Sequence, residues 1–117
     1  MYKKILPAIL FILICTVGIV WWWGAAPGKI SAETYLSKSL TYHQQGNYQK
    51  CISAAEQAIK LRPNYAEAYN NIGSAYNSMQ QWDKGIIALE KALAIKPDFQ
   101  LAKNNLAWAK KQKTALR

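Results

Sequence analysis

Two hydrophobic patterns divide the chain. From Ile5 to Trp23, nineteen consecutive residues carry no charged side chain, and only Pro7, Thr16 and Gly18 interrupt their aliphatic character. Beyond residue 31 the apolar positions recur at helical spacing instead. Tyr69, Ile72, Gly73 and Tyr76 fall at i, i+3, i+4 and i+7, and Trp82, Ile86, Leu89 and Leu93 form a second such stripe after Gln80 and Gln81. The first pattern predicts one long helix with no polar face. The second predicts paired amphipathic helices whose apolar stripes face each other.

As a helix, the uninterrupted run spans roughly 28 Å, close to the hydrocarbon thickness of a bilayer. Pro7 sits in the first turn, where a missing N–H costs nothing. Trp21, Trp22 and Trp23 fall where the chain would leave the lipid, the interface that tryptophan favours, and Gly24, Pro27 and Gly28 then break the helix. Residues 1–29 are therefore read as a transmembrane signal-anchor. A cleaved secretory signal is the competing reading, with Lys3 and Lys4 as its positive region and Gly24-Ala25-Ala26 as small residues near a cut. Against it, the run exceeds a usual signal core, and cleavage after Ala26 would put Pro27 just beyond the scissile bond. Cys15 follows Ile14 rather than a small residue, so a lipoprotein signal fails. Lys3, Lys4 and the terminal amine against Lys29 alone predict a cytoplasmic N-terminus. The remaining residues would then lie outside the cytoplasm, in the periplasm of a bacterium.

Sliding the chain against itself by 34 residues aligns residues 32–65 with 66–99 and returns ten identities, Tyr35/Tyr69, Tyr42/Tyr76, Ala58/Ala92 and Pro63/Pro97 among them. Tyr48/Trp82, Ile59/Leu93 and Tyr65/Phe99 are close substitutions at the same offset. This is an internal duplication. Each unit predicts two helices: Gly46-Asn47 marks the turn between Ser31–Gln45 and Tyr48–Leu61, and Pro63 and Pro97 end the second helix of each unit. Asn64 with Glu67 three residues on has the spacing of a capping box. Residues 100–117 hold a half unit in which Ala102, Asn104, Asn105 and Ala109 repeat Ala68, Asn70, Asn71 and Ala75, as expected of a solvating end helix.

These residues resemble the tetratricopeptide repeat family. Tyr69, Ile72, Gly73, Tyr76, Ala92 and Pro97 occupy its characteristic places in the second unit, with Gly85 for a usual alanine and Leu89 for an aromatic. In the first unit, Lys38 and Ser39 stand at the Leu-Gly position, with Cys51 and Ala55 further on, which predicts looser inner packing. The resemblance implies an all-α solenoid of two helix-turn-helix units (32–65 and 66–99) plus a capping helix with a basic tail (100–117), below the usual three or so repeats.

The resemblance also implies that the first helix of each unit lines a concave groove for an extended or helical peptide. By register the groove positions are Glu33, Leu36, Ser37, Leu40, His43 and Gln44; Glu67, Asn70, Asn71, Ser74, Asn77 and Ser78; and Leu101, Asn104, Asn105 and Trp108. Asn70/Asn104 and Asn71/Asn105 form two rows one repeat apart, and a carboxamide both donates to and accepts from a peptide backbone. Asparagine is also ordinary at the second of these positions throughout the family. Trp108 is either a groove anchor or a cover over the last hydrophobic gap. The carboxylate-gripping variant needs lysine and arginine where this chain has Leu36, Ser37, Asn70 and Asn104, so it is absent.

Charge and reactive residues narrow the function further. The 117 residues are 51% hydrophobic and 18% charged, with a net charge of +9. Residues 30–99 contribute seven basic and six acidic groups, whereas 100–117 contribute five basic groups and no acid. Lysines near a helix C-terminus complement its dipole; contact with anionic lipid or an acidic partner is the other use of such a tail. Nucleic acid is not expected outside the cytoplasm. Two cysteines and one histidine, without Cys-x-x-Cys or His-x-x-x-His spacing, exclude a structural zinc site. His43 belongs to no recognised catalytic set, Cys51 falls at a small-residue core position, and no Gly-rich phosphate loop exists. No cofactor, metal or small-molecule substrate is expected, and no enzyme. The reading is a membrane-tethered interaction module that captures a partner protein's peptide or helix. The rivals are self-association through an open solenoid end and anionic-surface binding by the tail.

Overall fold

The computed structural model describes residues 28–117. These form five helices and no strand: α1 (Ala32–Gln44), α2 (Tyr48–Leu61), α3 (Ala66–Ser78), α4 (Trp82–Ile95) and α5 (Gln100–Ala115). Residues 5–23, including Trp21, Trp22 and Trp23, lie outside the described part. Within it, no helix is long and apolar enough to cross a membrane.

Each pair, α1–α2 and α3–α4, is a helical hairpin whose turn repeats in detail. Gly46 (φ 74°) and Gln80 (φ 60°) occupy the same register in the left-handed region. After each, the chain closes on the end of the preceding helix: Asn47 N–H donates to Tyr42 O at 2.8 Å and Gln81 N–H to Tyr76 O at 2.9 Å. This is the bond pattern that satisfies orphan carbonyls at a helix end.

Ser31 caps α1 by accepting from Thr34 N–H at 3.2 Å, and Asn47 caps α2 by accepting from Lys50 N–H at 3.3 Å. The capping box expected from Asn64 to Glu67 does not form. The N-cap of α3 is Tyr65, whose side chain makes no capping bond. Tyr65 is buried beneath the Arg62 guanidinium, 4.4 Å from its ring centroid, and this apolar anchorage sets where the helix starts. Glu67 pairs with Lys96 at 3.5 Å instead.

Small residues let the layers approach. Ala55, Ala58, Ala68, Ala75, Ala92, Ala102 and Ala109 are fully buried, with Leu89 the largest side chain among the fully buried residues. At the α3–α4 crossing, a Cβ on Gly73 would meet Leu89 Cγ at 2.5 Å and Gly85 O at 3.1 Å, so the two backbones touch through glycine. The first unit has Ser39 and Cys51 there. The looser packing expected of it is not found: both side chains are fully buried, Ser39 Oγ donates to Leu36 O at 2.8 Å, and Cys51 Sγ lies 3.8 Å from Asn71 O.

Lys38 has a second explanation. Ala68, Ile72 and Ala75 of α3 are buried, as are Ala102 and Ala109 of α5 with Leu106 half-buried; the matching residues of α1, Thr34, Lys38 and Thr41, are exposed. On α5, Lys103 and Lys110 stand where α3 has Tyr69 and Tyr76, and both are exposed. Each end helix thus turns a polar face outward, as a terminal unit of a solenoid must. The basic tail is partly paired: Lys113 meets Asp83, and Lys110 lies 3.7 Å from Glu90, both partners on α4.

Candidate peptide-binding face

Stacking of the hairpins sets α1, α3 and α5 side by side, with α3 touching both others. Helical periodicity splits the polar residues of α3 between its neighbours. Asn71, Ser74 and Ser78 point to α1. Asn71 Nδ2 donates to Ser39 Oγ at 2.7 Å, while Ser74 Oγ and Ser78 Oγ lie 3.1 and 3.4 Å from His43 Nε2. Asn70 and Asn77 point to α5. Asn105 Nδ2 donates to Asn70 Oδ1 at 3.0 Å, and Asn77 Nδ2 donates to Asn105 O at 3.3 Å.

The amide rows are therefore a seam between helices. Asn70 and Asn77 are each only 4% exposed. Asn77 Oδ1 is buried without a partner among the described residues and occupies the space a Cβ on Gly85 would need. Asn71, Ser74, Asn105 and His43 are half-buried. Asn104 is exposed, and its Oδ1 accepts from Gln100 at 2.9 Å.

Two large apolar side chains on one periodic row reach solvent on this face. Leu40, Ser74 and Trp108 share one register position on α1, α3 and α5. Leu40 is 51% exposed and Trp108 49%. Trp108 rests edge-on against Trp82 with ring centroids 5.2 Å apart, and His43 meets Tyr48 edge-on at 5.3 Å. Of the two roles open to Trp108 from sequence, the structure shows the cover, over Trp82, with about half of the side chain exposed. Leu101, also exposed, extends the apolar strip at the rim.

Charge on this face is compensated locally. Glu33 pairs with Arg62 as Glu67 does with Lys96 one repeat later. The Glu33 carboxyl is held below its ordinary value, first by backbone N–H donation at the start of α1, then by Ser31 and Arg62. Among the described residues, no group of three or more His, Cys, Asp or Glu side chains could hold a metal ion. Sequence reasoning missed Ser39 and Trp82 as partners. Both sat in plain register, Ser39 as a departure from glycine and Trp82 as an enlargement of Tyr48.

Residues 40–80 match a family model described as TPR repeat, and residues 66–99 one described as Tetratricopeptide repeat. The chain carries tetratricopeptide repeats. Solved structures with the same fold include MamA, 36% identical over 74% of this chain and 48% of that one, at a TM-score of 0.69. This chain thus spans about half of MamA. The second TPR domain of human RPAP3, in complex with the HSP70 peptide SGPTIEEVD, is 21% identical over 69% of this chain and 68% of that one, at a TM-score of 0.66. The Arabidopsis OM64 TPR domain is 17% identical over 72% and 69%, at 0.67. No curated protein matches the chain.

Proposed function

We propose that this chain is a membrane-tethered tetratricopeptide module that captures a peptide or helix of a partner protein on the face formed by α1, α3 and α5. The carrying observation is the row Leu40, Ser74, Trp108, whose two large apolar members are half-exposed in the middle of an otherwise polar surface. The peptide held by the RPAP3 domain supports this use of the fold. The partner recognised here is of a different kind: a carboxylate-gripping face needs cations where this chain has Leu36, Ser37, the buried Asn70 and Asn104, so apolar side chains are the anchors.

The tether is the apolar run of residues 5–23, with Trp21, Trp22 and Trp23 at the lipid boundary and the repeats outside the cytoplasm. Its role is to raise the effective concentration of the module near membrane-bound partners. The full-length chain then resists alkaline extraction from membranes and retains its leading tryptophans. The polar outward faces of α1 and α5 weigh against end-to-end self-association, and the pairing of Lys110 and Lys113 with α4 weighs against a tail devoted to lipid. Peptides selected on the full-length chain from a random display library test the face. A Leu40→Ala/Trp108→Ala double variant is expected to bind them at least tenfold more weakly. Unchanged affinity would remove this face from the account.

A further inference from the structure

The duplication offers an internal control, because two equivalent surfaces have diverged. On the side of α3 turned away from the Asn70 and Ser74 row, Tyr69, Ile72 and Tyr76 form the floor of an open groove of about 720 Å³, walled on α4 by Ile87 and Ala94. The matching groove of the first unit lies between Tyr35, Lys38 and Tyr42 on α1 and Ser53 and Gln57 on α2. Two of its residues are polar where the second groove is apolar: Lys38 against Ile72 and Ser53 against Ile87.

Burial by a preceding helix accounts for Ile72, which is only 8% exposed. It does not account for Ile87, which is 67% exposed on a position where the sister unit keeps serine. Lys84 and Lys91 also line the groove, seven residues apart on α4, hence two turns and about 10 Å apart on one side of that helix. Lys84 lies over the Tyr76 ring at 5.6 Å. The groove's one acid, Glu90, is engaged by Lys110 at 3.7 Å, leaving the rim electropositive.

We propose that this groove is a second docking site, separate from the α1/α3/α5 face, for an amphipathic helix of a partner protein that carries an apolar stripe flanked by acidic residues two turns apart. A channel between two helices accepts the side-chain ridge of a third. The stretch from Lys84 to Ala94 is about 15 Å long and spans about three turns of such a helix. Carboxylates spaced to match Lys84 and Lys91 give it orientation as well as attraction. A bilayer is the poorer fit, because Ile72 is buried and Tyr69 and Tyr76 are half-buried, so a flat surface would meet chiefly Ile87 and Ala94.

The test selects random peptides of about twelve residues on the full-length chain and counter-selects on Ile87→Ser, a change at an exposed position that copies the sister unit. The expected binders carry apolar residues at i, i+3 or i+4, and i+7 with Asp or Glu beside them. They lose at least tenfold in affinity on Ile87→Ser and on Lys84→Glu/Lys91→Glu, and are unaffected by Trp108→Ala. Loss on Trp108→Ala would place them on the other face and overturn the site. So would a selection in which no sequence distinguishes wild type from Ile87→Ser, or binders without an acidic bias. Vesicles of phosphatidylcholine and phosphatidylglycerol that bind through Ile87 where peptides fail would also overturn it, assigning the groove to lipid.

Discussion

Asn71 of α3 donates its side-chain amide to the hydroxyl of Ser39 of α1 at 2.7 Å, where the sister unit keeps Gly73. The hydroxyl fills the space next to the crossing, donates to its own helix at Leu36 O, and leaves a lone pair for the neighbouring repeat. Between α3 and α5 the bond from Asn105 to Asn70 does the same work, so the amide rows hold the solenoid in register.

Removing these amides is expected to cost stability in an unequal way. Asn71→Ala leaves Ser39 with its bond to Leu36 O and should cost about 1 kcal/mol. Asn105→Ala strands the buried Asn70 Oδ1 and should cost about 1–3 kcal/mol. Urea midpoints at unchanged slope measure both, and two midpoints equal to wild type would mean the seam does not bear on folding.

Gln80 adopts a backbone conformation that its counterpart Gly46 adopts without a Cβ. Gln80→Gly should therefore raise stability by about 1 kcal/mol, the side chain being exposed. Thermal unfolding reads the shift, and a lower melting temperature would contradict the turn geometry.

Burial pushes the Cys51 thiol from 9.0 up to about 11. The folded state then holds this proton more tightly than the unfolded chain does. The contribution is fully present below about pH 9 and is lost as pH rises toward 11. Wild type should lose stability faster than Cys51→Ala across that window, since lysine and tyrosine titrations are common to both. Parallel losses would show that the thiol is not excluded from water.

Thr34, Lys38 and Thr41 keep the outward face of α1 polar where α3 and α5 are apolar. The triple change Thr34→Ala/Lys38→Ile/Thr41→Ala rebuilds the buried face of α3 on an exposed helix. Sedimentation should then detect association beyond that of the wild-type chain. No added association would mean that this face is not what closes the stack.

The hairpins, their turns and the end helix were legible from the sequence because a duplication prints its register directly: Gly46 and Gln80, Pro63 and Pro97, Tyr42 and Tyr76 recur at one spacing. Hydrogen-bond partners were not legible. Periodicity gives the side of α3 on which Asn70 or Asn71 lies, but Asn71 meets Ser39 across 32 residues and Asn105 meets Asn70 across 35, distances that only packing sets. The start of α3 was misread for a related reason. Capping chemistry favours Asn64, yet the buried ring of Tyr65 fixes the corner. Ile87 gave no signal alone and became informative only beside Ser53.

Leu40 and Trp108 are the positions at which a bound partner is to be met. A photo-crosslinking amino acid placed singly at positions 40 and 108 of the full-length chain, activated in the native membrane, should capture one and the same polypeptide from both positions and none from position 60 on α2. Capture of different species from the two positions, or equal capture from position 60, would contradict a binding face on α1, α3 and α5.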